Sequence, residues 1–576
     1  MNSDEVKTKQ KEKREKCLDA ILKSPARKKL IVAGPGTGKT FTFRCLLEKV
    51  PKGNNLALTF IRKLVEDMEP DLSKYAEVKT FHKYCKKVLH EQTGHFELVP
   101  YLTDIVKEDA ALLGKPFKNF ENKFRMLQKD APEIAFYLSR GDYYDVVSFD
   151  DSVYRLYTLI CSNPAILPSF DQIVIDEFQD FNPLEVAFIS KLWEKGPILI
   201  IGDDDQAVYE GRCASPIYLR NLYQSVEFQA FKLPFCTRCP QVIVDATNTI
   251  IEKAISLGHL ADRIEKPFEC YLEAKEQDSI RYPKIVVAKC STAIVIPKYI
   301  QKNIERIRSE APEDIEESYK EGDEYPTILI VGQKQYLREI FKQLQAVYPN
   351  ISYPKPSSDE EYGIVEAYNQ LLTDKSSNLG WRILMGLFFD SHAQKDILLC
   401  TEDGTPLVEC LDSTFIENHL KAIEVIRKLK DGEITGIDAL VEIKSVVGFE
   451  SDNVINHFTP TEPEEASQVD KTQPSILLTS FVGCKGLSAG HVFIVGAHNG
   501  SIPKNVSAIT DIEISQFIVA LTRTRKQCHI VSNNWLFKPK DKNGNFVERF
   551  TETEFLSWLP DELIDNKGEL KAADFR

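Results

Sequence analysis

Short apolar runs recur along the chain, each closed by glycine or polar residues and followed by a stretch of helical spacing. In the first half they are Leu30-Ile31-Val32-Ala33, Leu56-Ala57-Leu58, Ile173-Val174-Ile175 and Ile198-Leu199-Ile200-Ile201, with further strands expected at Glu77 to Thr80 and Val226 to Phe231. A second series begins near Tyr282 and comprises Ile285 to Ala288, Thr327 to Val331, Ile476 to Ser480, Val492 to Val495 and His529 to Val531. Unbroken apolar runs alternating with helices are the pattern of parallel sheets covered on both faces. The expected fold class is therefore α/β, with two lobes built on parallel sheets. Two stretches, roughly residues 100–160 and 389–474, are charged and helix-favouring and break the rhythm. They read as inserted, mainly helical subdomains, the second closing on the acidic, proline-containing segment Thr459 to Asp470. The expected boundaries are a first lobe at 1–95 and 166–275 around an insertion at 96–165, and a second lobe at 276–388 and 475–576 around a reduced insertion at 389–474.

The first apolar run leads into Ala33-Gly34-Pro35-Gly36-Thr37-Gly38-Lys39-Thr40, and a helix is expected from Phe41 to Val50. A glycine-rich turn between a strand and a helix lets backbone N–H groups approach phosphate oxygens, and the helix N-terminus adds positive potential. Lys39 supplies a point charge, and the Thr40 hydroxyl can hold Mg²⁺. Asp176 and Glu177 close the third run and offer two carboxylates with separate tasks. Asp176 can reach Mg²⁺ through its water shell, and Glu177 can take a proton from an attacking water. Gln206, after the fourth run, is placed to sense a terminal phosphate and orient that water.

The chain has 576 residues, 43% hydrophobic and 27% charged, which suits several globular domains and argues against a disordered scaffold. Its formal charge of −14 means that any polyanion must be met by a local basic or aromatic groove. The mixed charge run Lys7 to Lys16 reads as a solvated helix face. Absence of an apolar span or of a leader's apolar core leads to the expectation of a cytoplasmic protein without a membrane partner. The thirteen scattered cysteines fit a reducing compartment, and Cys236-x-x-Cys239 has no second pair to complete a zinc set.

The ordered series Ala33 to Thr40, Thr59 to Lys63, Thr80 to His82, Asp176 to Asp180, Gly202 to Tyr209, Arg238, Lys485 to Leu487 and Val519 to Arg523 resembles the UvrD/Rep-type superfamily 1 DNA helicases. The resemblance extends from about residue 15 to 535. It implies two RecA-like P-loop lobes with ATP and Mg²⁺ between them. The catalytic set would be Lys39, Asp176, Glu177, Gln206, Arg238 and Arg523. Ala33, Gly34, Pro35, Gly36, Thr37, Gly38, Lys39, Thr40 and Gly486 would bind the nucleotide, with Thr40 and Asp176 at the metal. Thr59, Phe60, Arg62, Phe81, His82, Tyr209 and Arg212 would contact single-stranded or tailed duplex DNA, and movement would run 3′ to 5′. The chain departs from the family at Cys17, where a glutamine reads adenine, at Thr237, where a tyrosine stacks on it, and at Gly211, where a tryptophan stacks on a base. Val482 and Ser488 depart as well, replacing a histidine and a glutamate. With about fifty residues after Arg523, no appended nuclease is expected. Small UvrD-like proteins also resemble the helicase components of Gabija-type bacterial phage defence, which makes a subunit gating a partner nuclease the alternative expectation.

Overall fold

The computed structural model describes residues 3–50, 53–59, 65, 69–94, 96–320, 325–354, 362–448, 452–460, 470–536 and 549–575. It divides into two compact units, the first comprising Met1–Tyr84, Leu167–Pro354 and Val469–Arg576, the second Cys85–Ile166 and Lys355–Gln468.

The first unit holds both large sheets. One is formed by β1 (Lys28–Ala33), β2 (Asn55–Thr59), β3 (Glu77–Thr80), β4 (Gln172–Ile175), β5 (Ile198–Gly202) and β6 (Gln229–Leu233), in the order β3-β2-β4-β5-β1-β6. The other is formed by β7 (Ile285–Thr292), β8 (Ile328–Val331), β9 (Ile351–Ser352), β10 (Ile476–Thr479), β11 (Ala489–Val495), β12 (Thr524–Trp535) and β13 (Ile564–Leu570), in the order β9-β10-β8-β11-β12-β7-β13. Every pairing within both sheets is parallel. The α/β reading with two parallel-sheet lobes therefore holds. The central strands are buried along their length, which is why their sequences are apolar at successive positions instead of alternating. The sixth strand starts later than Val226, which is fully exposed in the turn before it.

The second unit is mainly helical and joins two segments remote in sequence. Its second segment includes the helices Ile364–Thr373 and Asn378–Phe388, so it starts ahead of residue 389, where the loss of strand rhythm had suggested a boundary. Asp109 is the hub. Its carboxylate accepts from Arg382 Nε at 2.6 Å, Arg140 Nε at 2.8 Å and the Tyr144 hydroxyl at 2.6 Å. Arg382 and Asp109 are both fully buried, so removal of either partner would strand a charge in the interior.

His419 lies in the same unit against Phe415, with ring centroids 4.4 Å apart, and its Nδ1 shares a 2.9 Å hydrogen bond with the Tyr368 hydroxyl. Burial pushes its pKa down to about 4. A histidine with a folded pKa below its unfolded value loses its contribution to stability as the pH falls through about 6.5, because the unfolded chain takes up the proton first. Between pH 7 and pH 4 this loss amounts to about 3 kcal/mol at most. In His419→Gln that component should be absent. Amide exchange in the helix Ser413–Lys430, compared with wild type at each pH, checks it; equal acid sensitivity in both proteins would refute the assignment.

Candidate functional site

β1 ends at Ala33, and the loop that follows turns through Gly36 and Gly38, both in the left-handed region at φ 67° and 86°. A Cβ at Gly36 would stand 2.5 Å from Arg238 Cβ, so the residue is required by space as well as by conformation. Gly34 and Pro35 are buried under the loop, and the Thr37 hydroxyl donates to Gly34 O at 2.9 Å. Lys39 and Thr40 open the helix Lys39–Leu47, whose Thr42 N–H already donates to Gly38 O at 3.0 Å. The N–H groups ahead of it are thus directed out of the turn, as an anion cradle requires.

β4 and β5 end beside this loop. Glu177 has φ 52°, a strained value for a side-chain-bearing residue, and this turns its carboxylate toward Lys39 Nζ at 3.1 Å. Glu177 also accepts from Gln179 Nε2 at 2.5 Å, while Gln179 Oε1 accepts from Asp203 N–H at 3.0 Å, so one amide ties the two strand ends together. Asp203 in turn accepts from Gln206 Nε2 at 2.6 Å. Burial disfavours the charge of Lys39, but Glu177, Asp176 and Asp203 outweigh it and raise its pKa. Burial and the adjacent Glu177 push Asp176 up. Against burial, Lys39 and Lys485 hold Glu177 well below the usual carboxylate range, so it remains an ionised proton acceptor.

The second lobe completes the cluster. Arg523, at the end of the helix Asp511–Leu521, donates through Nη2 to Gln206 Oε1 at 3.0 Å; its Nε and Nη1 are held by Val519 O and Leu487 O at 2.8 and 3.2 Å. Lys485 pairs with Asp180 at 2.6 Å, lies 3.7 Å from Glu177 and donates to Gln206 O at 2.5 Å. Gly486, with φ 81°, makes the turn between Lys485 and Leu487 that lets both reach the cluster. Burial and the neighbouring Arg523 and Arg525 push the Arg238 guanidinium down to about 10, the mark of cations gathered at a point where an anion would be stabilised. Lys39, Asp176, Glu177, Gln206, Arg238 and Arg523 are thus brought together. Lys485, Asp180, Gln179 and Asp203 belong to the same cluster without having been singled out in the sequence. Their signal was their place inside the Asp176–Asp180, Gly202–Tyr209 and Lys485–Leu487 strings.

The residues expected to contact a nucleic acid strand are more scattered in character. Thr59 ends β2, fully buried, with a hydroxyl that has no hydrogen-bond partner among the described residues. Phe60 and Arg62 lie outside the described residues. Phe81 is a correction. Its ring is fully buried and packs edge-on against Phe181 and Phe188 at 5.4 and 5.3 Å, so it offers no stacking face. His82 and Arg212 both face the Glu185 carboxylate at 3.6 Å. Tyr209 places its ring 5.7 Å from Lys485 Nζ, linking this surface to the cluster. A groove of about 570 Å³ runs beside it, with Val208, Gly211, Gln333, Ser480, Val482 and Lys504 among its lining residues. Gly211 is exposed, and no atom of the described residues lies within 4 Å of the position of its absent Cβ.

A family model described as an AAA domain matches residues 18–212. The chain is 23% identical to a protein named "Probable DNA helicase II homolog" from Mycoplasma capricolum, across 92% of this chain and 87% of that one. It is 24% identical to "DNA helicase II" of Haemophilus influenzae over 40% of this chain and 39% of that one, and 24% identical to "ATP-dependent DNA helicase Rep" of Buchnera aphidicola over 45% and 46%. Together these likenesses support a UvrD/Rep-type superfamily 1 DNA helicase. Two parallel sheets, one leading into the glycine-rich loop at Gly34 to Lys39 and the other supplying Arg523, are consistent with the two RecA-like lobes of a UvrD-type helicase. Among the described residues no helix is long and apolar enough to cross a membrane.

Proposed function

We propose that this chain is an ATP hydrolase driven by DNA, which couples turnover between its two RecA-like lobes to 3′ to 5′ movement along a single strand and to duplex unwinding. The observation that carries this reading is the convergence of Lys39 and Glu177 from the first lobe with Arg523 and Lys485 from the second, within hydrogen-bond or ion-pair reach of Gln206 or Glu177. Residues from both lobes on one reaction centre make its chemistry dependent on how the lobes meet, which is what coupling to movement requires.

In this reading Lys39 and the loop N–H groups hold the phosphates, Gln206 orients the attacking water, and Glu177 takes its proton. Arg238 and Arg523 stabilise charge on the transferred phosphoryl group. The donor set fits Mg²⁺. Asp176 presents a buried carboxylate whose Oδ1 accepts from the Glu177 N–H at 2.9 Å, and the Thr40 hydroxyl lies at the start of the loop's helix; both are hard oxygen ligands. Bound there, the ion would neutralise charge on the phosphate oxygens.

Steady-state ATP hydrolysis by the purified chain, with and without single-stranded DNA, tests the proposal. Strong stimulation is expected, lost in Lys39→Ala. Basal hydrolysis indifferent to DNA would overturn the motor reading. A second reading, a DNA- and nucleotide-sensing subunit that gates a partner nuclease, draws support from the buried Phe81 ring and the bare Gly211. Base stacking is worth about 1 to 3 kcal/mol per base, so both features weaken grip on a strand. It expects hydrolysis without opening of a tailed duplex until the partner is present.

A further inference from the structure

The turn that carries Gln206 also carries a cluster of charge. Asp203, Asp204 and Asp205 follow β5 and are all buried. One carboxylate oxygen from each lies within 4.8 Å of the others, close enough to hold a metal ion. The cation they hold is the Lys266 ammonium, 3.0, 2.8 and 2.6 Å from the three carboxylates in turn. Arg263 adds a two-pronged contact to Asp205 at 2.7 and 2.9 Å, and Arg220 Nε donates to Asp204 at 3.1 Å. Three carboxylates thus meet one ammonium and two guanidiniums, and the formal charges cancel. Burial works against the charge of Lys266, but Asp203, Asp205 and Asp204 outweigh it and raise its pKa.

Lys266 belongs to a segment that meets the site at three places. Leu260 N–H donates to Asp511 Oδ1 at 3.0 Å, at the start of the helix that leads to Arg523. Ile264 N–H donates to Asp204 Oδ2 at 2.8 Å. Phe268 packs over the phosphate loop, where a Cβ at Gly34 would stand 2.8 Å from its ring, and Asn248 Nδ2 donates to its carbonyl at 3.0 Å. Leu260 and Asp262 have φ of 55° and 61°, a conformation such residues keep only where their surroundings over-determine it.

The bearing on hydrolysis runs through Asp203. Its carboxylate accepts from Gln206 Nε2 at 2.6 Å, while Gln206 Oε1 accepts from Arg523 Nη2 at 3.0 Å. A carboxylate takes only the N–H side of an amide and a guanidinium only the oxygen side, so the Gln206 amide can face one way. Without the ammonium, three carboxylates this close would repel one another, and Asp203 would turn away or take up a proton and release the amide.

We propose that Lys266 is a positioning residue for hydrolysis: it holds Asp203, Asp203 holds the Gln206 amide, and the amide fixes the attacking water. The proposal rests on the role of Gln206 in the ATP hydrolysis proposed above. The ammonium is committed to three carboxylates, so it acts on turnover and not on the affinity for nucleotide.

Single-turnover hydrolysis of ATP by the full chain with Mg²⁺ and single-stranded DNA, beside steady-state KM and melting temperature, tests this in wild type, Lys266→Met, Gln206→Ala and the double variant. Lys266→Met should turn over about 10²-fold more slowly, the effect of a displacement of about 1 Å at a reacting group, with KM for ATP little changed. In the Gln206→Ala background the same substitution should slow turnover no further, because the residue it acts through is gone. A merely structural lysine would instead multiply the two losses. Where Lys266→Met fails to fold, Lys266→Arg replaces it under the same criteria; it keeps the charge, but a planar fork cannot cap three carboxylates from one point. Wild-type turnover in the Lys266 or Gln206 variant, losses that multiply, or a higher KM at unchanged turnover would overturn the proposal while leaving the ATP site intact. A wild-type protein that hydrolyses no ATP would overturn the reading of the site as an ATPase, and this proposal with it.

Discussion

Glu177→Gln is expected to lower the turnover number by about 10² to 10⁴, the range attributed to a positioned general base, while leaving nucleotide binding intact or tighter. The reason is electrostatic as well as chemical. Glu177 is the carboxylate that faces both Lys39 and Lys485, and those two cations hold it ionised in spite of its burial. The amide is nearly the same size, but it accepts no proton and no longer offsets the lysine charges. Lys39 then has a stronger field to offer a phosphate, so affinity does not fall. A rapid-quench measurement of hydrolysis, set beside calorimetric binding of a non-hydrolysable analogue, separates the two effects. Near-normal turnover would remove Glu177 from the role of base. Loss of binding and turnover together would mean that the residue mainly holds the strained strand end in place.

Much of this arrangement was legible because it is local. Lys39, Asp176, Glu177 and Gln206, the first-lobe residues proposed to handle phosphate and water, follow strands that read as unbroken apolar runs, and a parallel sheet brings such strand ends to one edge. Asp176 and Gln206 are 30 positions apart in sequence and still fall together, since β4 and β5 are hydrogen-bonded neighbours. What was not legible depends on pairing across distance or on burial. The union of the two helical segments rests on Arg382 and Asp109, 273 residues apart, and neither stretch carries a local sign of the other. β13 escaped notice because its sequence, Ile-Asp-Asn-Lys-Gly-Glu-Leu, is that of a charged edge strand with no apolar face to betray it. Phe81 follows an apolar strand just as an exposed platform would, and only its contacts with Phe181 and Phe188 assign it to the core. Lys485 is the converse case. A lone lysine between cysteine and glycine reads as surface, yet its ammonium is buried among Asp180, Glu177 and the Gln206 carbonyl.

Arg523 should show the larger kinetic effect of the two lobes' contributions. Arginines that stabilise the transferred phosphoryl group contribute about 10³ to 10⁵ in rate, and Arg523 is the second-lobe guanidinium that reaches Gln206, the residue proposed to orient the water. Three of its nitrogens are committed, to Val519 O, Leu487 O and Gln206 Oε1, so its planar fork is locked in direction before any substrate arrives. Arg523→Ala would leave two buried carbonyls without those donors, at about 1 to 3 kcal/mol each, and could lose activity through folding alone. Arg523→Lys keeps the charge and part of the hydrogen bonding, and it is the decisive variant. It should melt near wild type and bind nucleotide with little change, yet hydrolyse it at least about 10³-fold more slowly, because a point charge cannot hold Gln206 and a phosphoryl oxygen at once. A lysine variant with wild-type turnover would show that the guanidinium only ties the helix end to Leu487, and that the second lobe acts on the reaction through Lys485.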